Sequence, residues 1–183
     1  GQKDDSACAA KKDMKKNKPM NRLLNGDVGS GKTLVAAQAI LDCVSSGYSA
    51  ILLAPTTVLA QQHFDTLSKM LPKLDIEVCT SSRKNLTDAD NKVIISTHAI
   101  LYQNTENIPS DLNLVIVDEQ HRFGVEQRHK LLSANNHTPH YLTMTATPIP
   151  RSLTSRFFGS TDGSLIKEKP SNRKDIKTYY TPK

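Results

Sequence analysis

The chain has 183 residues, of which 37% are hydrophobic, and this suits one α/β domain with its own core better than two domains. No apolar run approaches the roughly 20 residues of a membrane-spanning helix and no signal peptide opens the chain, so a cytoplasmic protein without a membrane segment is predicted. Cys8, Cys43 and Cys79 lie far apart without a CxxC spacing, which predicts reduced thiols and argues against a zinc site or a disulfide framework.

The net charge of +6 is concentrated at the two ends of the chain. Residues 1–18 carry six lysines and three acids, a net +3, and residues 166–183 carry six basic and two acidic side chains, a net +4. Basic ends suit a polyanionic partner, but they suit solvated tails equally well. Charge alone therefore does not identify nucleic acid as the partner.

Short apolar runs predict a series of strands. A helix is expected over about the first 20 residues, with a lysine-rich stretch before Pro19. Six strands are predicted after it, at Arg22–Asn25, Ala50–Ala54, Ile76–Thr80, Lys92–Ser96, Leu112–Val117 and His140–Thr145. Several of them are almost entirely apolar, which is typical of strands covered on both faces.

Helical patterns lie between these strands. One repeat of apolar residues consists of Leu34, Ala37, Leu41 and Val44, with Gly47 as the expected C-terminal stop. A second repeat follows a possible N-cap at Thr56 and consists of Ala60, Phe64, Leu67 and Leu71. Alternating strands and helices at this spacing predict an α/β fold with a doubly wound, mainly parallel sheet, in which ligands bind at the carboxyl ends of the strands.

The remaining segments are polar. Residues 83–91 are predicted to form a turn, and beyond Gly163 the chain becomes basic, with one extended candidate at Ile176–Tyr180. The predicted division is a single α/β domain over residues 1–163 and a connector over residues 164–183.

A glycine-rich segment between the first predicted strand and the next helix fits the pattern GxxxxGK[ST]. Its residues are Gly26, Asp27, Val28, Gly29, Ser30, Gly31, Lys32 and Thr33. Glycines let backbone N–H groups turn inward around phosphate oxygens, and the helix N-terminus adds partial positive charge. Lys32 is predicted to reach the β- and γ-phosphates of ATP, and Thr33 to hold Mg²⁺ through its hydroxyl. The alternative is an ordinary turn between a strand and a helix.

Two adjacent acids, Asp118 and Glu119, directly follow the most apolar predicted strand. Charges at the end of a buried strand are costly unless a positive partner meets them, and Mg²⁺–ATP is such a partner. Asp118 is predicted to complete the Mg²⁺ shell with Thr33, and Glu119 to orient or deprotonate the attacking water. The alternative is that both acids cap the helix that follows.

Four longer segments resemble the RecG family of superfamily-two DExH helicases. They are Gly26–Thr33, Ala54–His63, Asp118–Arg128 and Met144–Arg151. The string Asp118-Glu119-Gln120-His121 looks like the DExH box of these helicases, and Thr145-Ala146-Thr147 looks like their motif III. The resemblance spans nearly the whole chain. It implies a RecA-like ATP-binding lobe of a bacterial ATP-dependent DNA helicase that remodels branched DNA, such as stalled forks and Holliday junctions, in recombination and repair.

The resemblance also implies a coupling layer near the nucleotide. In it, His121, Thr145 and Thr147 would sense the γ-phosphate and transmit its loss to the DNA-binding surface. Gln2 would match a glutamine that reads adenine. Histidines without ligand spacing are assigned no function, and these are His63, His129, His137 and His140.

Two further segments match motifs that contact the nucleic-acid backbone in this family. The first consists of Pro55, Thr56 and Thr57, where a helix N-terminus offers hydroxyl and N–H groups to a phosphate, although a plain N-cap is the alternative for Thr56. The second consists of Thr97 and His98. Ser96 precedes it where the family usually has glycine.

The same resemblance implies partners for this lobe. RecG-type helicases hydrolyse ATP between two RecA-like lobes, and a wedge domain upstream splits the duplex; neither is expected within these residues. The chain alone is therefore expected to bind Mg²⁺–ATP weakly, to hydrolyse it poorly and not to unwind DNA. Its expected nucleic-acid partner is branched, single-stranded or double-stranded DNA. Its expected location is the bacterial cytosol, with the nucleoid.

Two alternative functions remain at this point. One is the motor lobe of a transcription-repair coupling translocase, which shares most of the quoted segments. The other is a non-motor P-loop NTPase module, against which motif III and the segment at 55–57 both argue.

Overall fold

The computed structural model describes residues 2–14, 18–80, 91–97, 100–103, 108–119, 138–146 and 162–166. These residues form seven strands and four helices. The helices are α1 (Gln2–Met14), α2 (Lys32–Ser45), α3 (Thr57–Met70) and α4 (Ile100–Gln103). The strands are β1 (Asn21–Gly26), β2 (Ser49–Ala54), β3 (Ile76–Cys79), β4 (Val93–Thr97), β5 (Leu112–Asp118), β6 (His140–Thr145) and β7 (Asp162–Ile166).

These strands form one sheet in the order β3-β4-β2-β5-β6-β1-β7, and every pairing in it is parallel. The predicted α/β fold with a doubly wound parallel sheet is therefore confirmed. All six predicted strands are present, and none of their ends differs from the prediction by more than one residue. Because all strands run the same way, their carboxyl ends share one edge of the sheet.

Alternate residues of the strands build two separate layers of core. On β2, Leu52 and Ala54 face the layer formed with α1, α2 and α3, whereas Ile51 and Leu53 face the opposite layer. In the described residues, the opposite layer receives Ile100 and Leu101 of α4 and Ile108. Because strand residues point alternately to the two faces, a strand buried on both sides is nearly all apolar, as the sequence shows.

The stripe of α2 that faces the sheet differs from the predicted one. Its buried residues are Val35, Ala36, Ala37, Ala39, Ile40 and Cys43, so Ala37 alone of the four predicted positions is buried. Leu34 is 49% exposed. Residues 34–37, in the first turns of this helix, are all apolar. Such a run is compatible with more than one buried face of the helix, so the sequence pattern does not determine which face packs on the sheet.

The predicted ends of the first two long helices after β1 are confirmed. Gly47 has a φ of +87° beyond the end of α2, and its N–H donates to Val44 O at 3.0 Å. Thr56 precedes α3, and its hydroxyl accepts a hydrogen bond from Leu59 N at 3.2 Å. The Gly47 hydrogen bond satisfies a carbonyl group at the C-terminus of α2. The Thr56 hydrogen bond satisfies an N–H group at the N-terminus of α3.

Strand β7 was not predicted, and it corrects the division of the chain. It pairs with β1 from Arg22–Asp162 to Gly26–Ile166, and Ile166 is 2% exposed within the core. Residues 164–166, which the sequence assigned to the connector, are therefore part of the sheet. The polar turn at 83–90, the lysine-rich stretch at 15–17 and the extended candidate at 176–180 lie outside the described residues, and the assignment of residues 167–183 to a connector stays a prediction.

A buried ion pair joins the first helix to the sheet. The guanidinium of Arg22 on β1 donates through Nε and Nη2 to Oδ2 of Asp13 on α1, with the Nε bond at 2.9 Å, and through Nη1 to the hydroxyl of Ser164 on β7. The Arg22 and Asp13 side chains are 11% and 7% exposed. Two consecutive elements, α1 and β1, therefore meet the distant strand β7 at one charged side chain.

Replacing Asp13 with alanine is expected to lower the free energy of unfolding by about 3 kcal/mol, because it leaves the Arg22 charge buried without its partner. The control is Lys11→Ala, which removes the ion pair of Lys11 with Asp42 at 3.0 Å. Lys11 is half exposed, so its loss should cost well under about 1 kcal/mol. Urea unfolding of both variants measures the difference; equal costs would contradict a structural role for the buried pair.

The three cysteines are free thiols. Cys8 is exposed, whereas Cys43 and Cys79 are buried. Burial raises the pKa of the Cys43 thiol from 9.0 to about 12, and the nearby Asp111 carboxylate adds to this shift. In the described part of the chain no helix is both long enough and apolar enough to cross a bilayer.

Candidate functional site

The glycine-rich segment forms the loop between the end of β1 at Gly26 and the start of α2 at Lys32. This strand–loop–helix context is the one that the phosphate-loop pattern requires. Gly29 and Gly31 have φ values of +76° and +92°, where an L side chain costs roughly 1 kcal/mol or more. A Cβ at Gly26 would lie 2.5 Å from Ser30 Oγ, so a side chain at this position would require Ser30 to shift.

The ammonium group of Lys32 is folded into this loop. Its Nζ donates to the carbonyl oxygens of Gly26 at 2.6 Å and Asp27 at 2.9 Å. The loop is tightened further by two hydrogen bonds, from Ser30 N to Asp27 O at 3.1 Å and from Val28 N to Asp27 Oδ1 at 2.8 Å. A positive charge is thus held inside a turn that precedes a helix N-terminus, which is the arrangement that binds phosphate.

Asp118 ends β5 at the same edge of the sheet. In register it lies beside Met144 of β6, which in turn lies beside Leu24 of β1, two residues before the loop. With about 4.8 Å between neighbouring strands, Asp118 and β1 are about 10 Å apart across the sheet. The sheet therefore brings the Asp118 carboxylate and the glycine-rich loop to the same edge of the sheet.

Glu119 is held in an unusual backbone conformation. Its φ is +52°, and its N–H donates to Met144 O at 3.0 Å. Its side-chain Oε1 accepts a hydrogen bond from Ala146 N at 3.2 Å. Strained residues of this kind persist where surrounding contacts fix them, and they cluster at functional sites. The carboxylate of Glu119 is thus tied directly to the segment that resembles motif III.

The predicted coupling layer is only partly described. Thr145 is completely buried at the end of β6 and lies in register beside Asn25 of β1. It therefore sits between the acidic pair and the strand that carries the glycine-rich loop. His121 and Thr147 lie outside the described residues.

A histidine that the sequence left without a function contacts the acidic pair. Nε2 of His63 on α3 lies 2.7 Å from Asp118 Oδ2. The side chains of His63 and Asp118 are 13% and 15% exposed. The two residues are 55 positions apart and share no motif spacing. The one signal in the sequence was that His63 closes the segment Ala54–His63, which resembles the helicase family as a whole.

The two predicted backbone-contacting segments lie next to each other. Pro55 follows β2 and Thr97 ends β4, and these strands are neighbours in which Ala54 pairs with Thr97. Thr56 caps α3, and Thr57 is exposed at the first turn of that helix. In the strand order, β2 and β4 lie on the opposite side of β5 from β1. Asp118 therefore stands between the predicted nucleic-acid segments and the glycine-rich loop.

Of the three remaining predicted positions, Ser96, Gln2 and His98, the structure describes only the side chain of Ser96. The buried Ser96 donates its hydroxyl to Cys79 O at 2.5 Å, which joins β4 to β3 and turns this side chain away from solvent. Gln2 begins α1, and its side chain is not described. His98 lies outside the described residues.

The residues present fit a magnesium site of the kind that nucleotides occupy. Thr33 and Asp118 offer a hydroxyl and a carboxylate, which are the hard oxygen donors that Mg²⁺ prefers. No group of three or more acidic, histidine or cysteine side chains able to hold a metal occurs among the described residues. Mg²⁺ is commonly bound through one or two protein groups together with substrate phosphates and waters, so a sparse protein donor set is the expected one.

Comparison with known proteins agrees with this geometry. The sequence model of the DEAD/DEAH box helicase family matches residues 8–155. The chain is 47% identical over 179 residues to the ATP-dependent DNA helicase RecG of Bacillus subtilis and 45% identical over 177 residues to that of Streptococcus pneumoniae. Each alignment covers 92% of this chain and 26% of the relative. The chain thus spans about a quarter of the length of the relatives it matches.

Solved structures give the same result. A structure of RecG bound to a three-way DNA junction superposes with a TM-score of 0.78 at 33% identity, covering 96% of this chain and 24% of that one. The helicase domain of Hef from Pyrococcus furiosus superposes with a TM-score of 0.68 at 19% identity, covering 89% of this chain and 37% of that one, and shows the shared fold. By sequence and by fold, this chain belongs to the DEAD/DEAH box helicase family, and the two relatives matched by sequence above are RecG helicases.

Proposed function

We propose that this chain is the ATP-binding motor lobe of a RecG-type ATP-dependent DNA helicase that acts on branched DNA in recombination and repair. The observation that carries the proposal is the position of Asp118 and Glu119 on one sheet edge, between the Lys32 loop and the segments at Pro55–Thr57 and Thr97. A nucleotide site and a nucleic-acid site on either side of the same two carboxylates suit a motor. Similarity to RecG over 92% of the chain supports this reading over a non-motor NTPase.

Each residue of the site has a distinct proposed role in ATP binding and hydrolysis. The backbone N–H groups of the loop and the ammonium of Lys32 bind the phosphates of ATP and balance their charge. Thr33 and Asp118 would hold Mg²⁺, which when bound neutralises charge on the β- and γ-phosphate oxygens. Glu119 orients the attacking water and accepts its proton. Thr145 and Ala146 lie beside Glu119, where loss of the γ-phosphate would be sensed.

The proposed partners follow from the same family. DNA is the proposed ligand of the segments at 55–57 and 97–98. A second RecA-like lobe and a duplex-splitting wedge, carried by the rest of a full-length chain, are the proposed intramolecular partners, because the RecG relatives are about four times as long as this chain. The bacterial cytosol, in contact with the nucleoid, is the proposed location.

A chimera tests the proposal. In it, this chain replaces the 179 aligned residues of Bacillus subtilis RecG. The chimera is expected to hydrolyse ATP in response to branched DNA and to unwind a three-way junction. The chain alone should hydrolyse ATP at least about 10³-fold more slowly, because the chimera adds the proposed second lobe, which supplies an arginine to the transition state.

Steady-state ATPase assays with and without junction DNA measure both rates. The Lys32→Ala chimera, which should be inactive, shows that any turnover arises in the transplanted lobe. A folded chimera without DNA-stimulated turnover would contradict the RecG-type assignment. DNA-stimulated turnover by the chain alone at the rate of the chimera would contradict a two-lobe motor.

A further inference from the structure

The contact between His63 and Asp118 joins helix α3 to the acidic end of β5. His63 Nε2 and Asp118 Oδ2 are 2.7 Å apart, within the range of a charge-assisted hydrogen bond. Both side chains are largely shielded from water, at 13% and 15% exposed, so the contact is poorly accessible to competing water. The functions proposed above leave His63 without a role.

The chemistry of the two groups fixes the direction of this hydrogen bond. An ionised carboxylate has only acceptor sites, so the ring nitrogen of His63 at Nε2 must carry the hydrogen and donate it. Such a donor restricts rotation of the Asp118 carboxylate, because Oδ2 is held toward α3. Oδ1 is then left to a ligand on the other side. Hydrogen bonds that orient a metal-binding side chain in this way commonly contribute a factor of roughly 10 to 100 in metal affinity.

We propose that His63 is a positioning residue for the magnesium of the bound nucleotide and acts through Asp118. Its hydrogen bond holds the Asp118 carboxylate in the orientation that binds the ion, and His63 itself touches neither nucleotide nor metal. The inference rests on the proposed function of Asp118 and deepens it. A purely structural His63 would tie α3 to β5 and leave the magnesium dependence of nucleotide binding unchanged.

The test uses this chain, a fluorescent ATP analogue and two conditions, saturating Mg²⁺ and EDTA. In His63→Leu the ring is replaced by an apolar side chain that cannot donate. Mg²⁺ is expected to raise the affinity for the analogue above its value in EDTA, and the midpoint of this increase is the measured quantity. In His63→Leu we expect the midpoint Mg²⁺ concentration to rise by about 10-fold or more, while the affinity in EDTA stays at the wild-type value. Asp118→Ala removes the proposed magnesium ligand itself, so it gives the largest loss of magnesium dependence that His63→Leu could approach.

Conservative variants separate the hydrogen bond from the bulk of the ring. The amide nitrogen of a glutamine side chain reaches about as far as Nε2, whereas that of asparagine reaches only as far as Nδ1. His63→Gln should therefore retain most of the wild-type magnesium dependence, and His63→Asn should lose it. Gln62→Ala is the matched control, because Gln62 is an exposed neighbour on the same helix.

The outcomes distinguish this inference from the proposed function. Folded His63→Leu with wild-type magnesium dependence would overturn the role of His63 and leave the nucleotide site intact. If His63→Leu does not fold, as judged by the loss of cooperative thermal unfolding, His63→Gln and His63→Asn test the inference instead. Equal magnesium dependence of nucleotide binding in these two variants would overturn the role of His63. Lys32→Ala should lose binding in both Mg²⁺ and EDTA; if it retains binding, the proposed nucleotide site itself is wrong.

Discussion

Replacing Lys32 with alanine is expected to weaken the binding of a fluorescent ATP analogue by about 100-fold, since hydrogen bonds to charged groups contribute roughly 1.5–3 kcal/mol each. The Lys32 ammonium lies inside the loop, where it donates to the carbonyl oxygens of Gly26 and Asp27 at 2.6 and 2.9 Å. Alanine removes both the positive charge that is proposed to bind the phosphates and the donor that ties the loop to α2.

A matched control removes the same charge elsewhere. Lys69 is exposed in the last turn of α3, far in sequence from the loop. Lys69→Ala changes the net charge of the chain by the same amount as Lys32→Ala, so it measures any general effect of charge on nucleotide affinity. Titrations of both variants at one ionic strength compare them directly. Equal affinities in the two variants would mean that the glycine-rich loop does not bind the nucleotide.

The fold could be predicted closely where structure is decided by local pattern. The runs Ile51–Leu53 and Leu114–Val117 are apolar on both faces, and they became central strands. Strand β7 escaped prediction because it contains Asp162, Gly163 and Ser164, which are uncommon in strands. Its place in the sheet depends on pairing with β1, about 140 residues earlier in the chain, and no local pattern reports such a pairing.

The site divides in the same way. The glycine-rich loop and the pair Asp118–Glu119 are contiguous in sequence, so their context could be inferred from neighbouring residues. The hydrogen bond of His63 to Asp118 joins positions 55 residues apart, and it arises because α3 packs on β2, β3 and β4 next to β5. The hydrogen bond of Ala146 to Glu119 likewise depends on the register of β5 with β6. Tertiary packing determines both contacts, and the spacing of the residues in the sequence does not predict them.

Replacing Glu119 with glutamine is expected to slow ATP hydrolysis by about 10³-fold without weakening the binding of Mg²⁺–ATP, the loss typical of a missing general base. Glutamine has nearly the shape of glutamate, and its side-chain oxygen can still accept the hydrogen bond from Ala146 N, which lies at 3.2 Å in the wild type. The substitution therefore removes the negative charge and keeps the local geometry. Single-turnover hydrolysis in the RecG chimera measures the rate, and the fluorescent analogue measures binding.

A second substitution separates the charge of Glu119 from its position. Aspartate keeps the carboxylate but is one methylene shorter, so Glu119→Asp should lose the contact with Ala146 N and retain part of the hydrolysis rate. The left-handed backbone at this residue, with φ at +52°, costs roughly 1 kcal/mol in glutamate and less in asparagine or glycine. Glutamate therefore occupies this position at a cost in backbone energy, as is common for residues at functional sites. Hydrolysis by Glu119→Gln at the wild-type rate would contradict the role of Glu119 as the base.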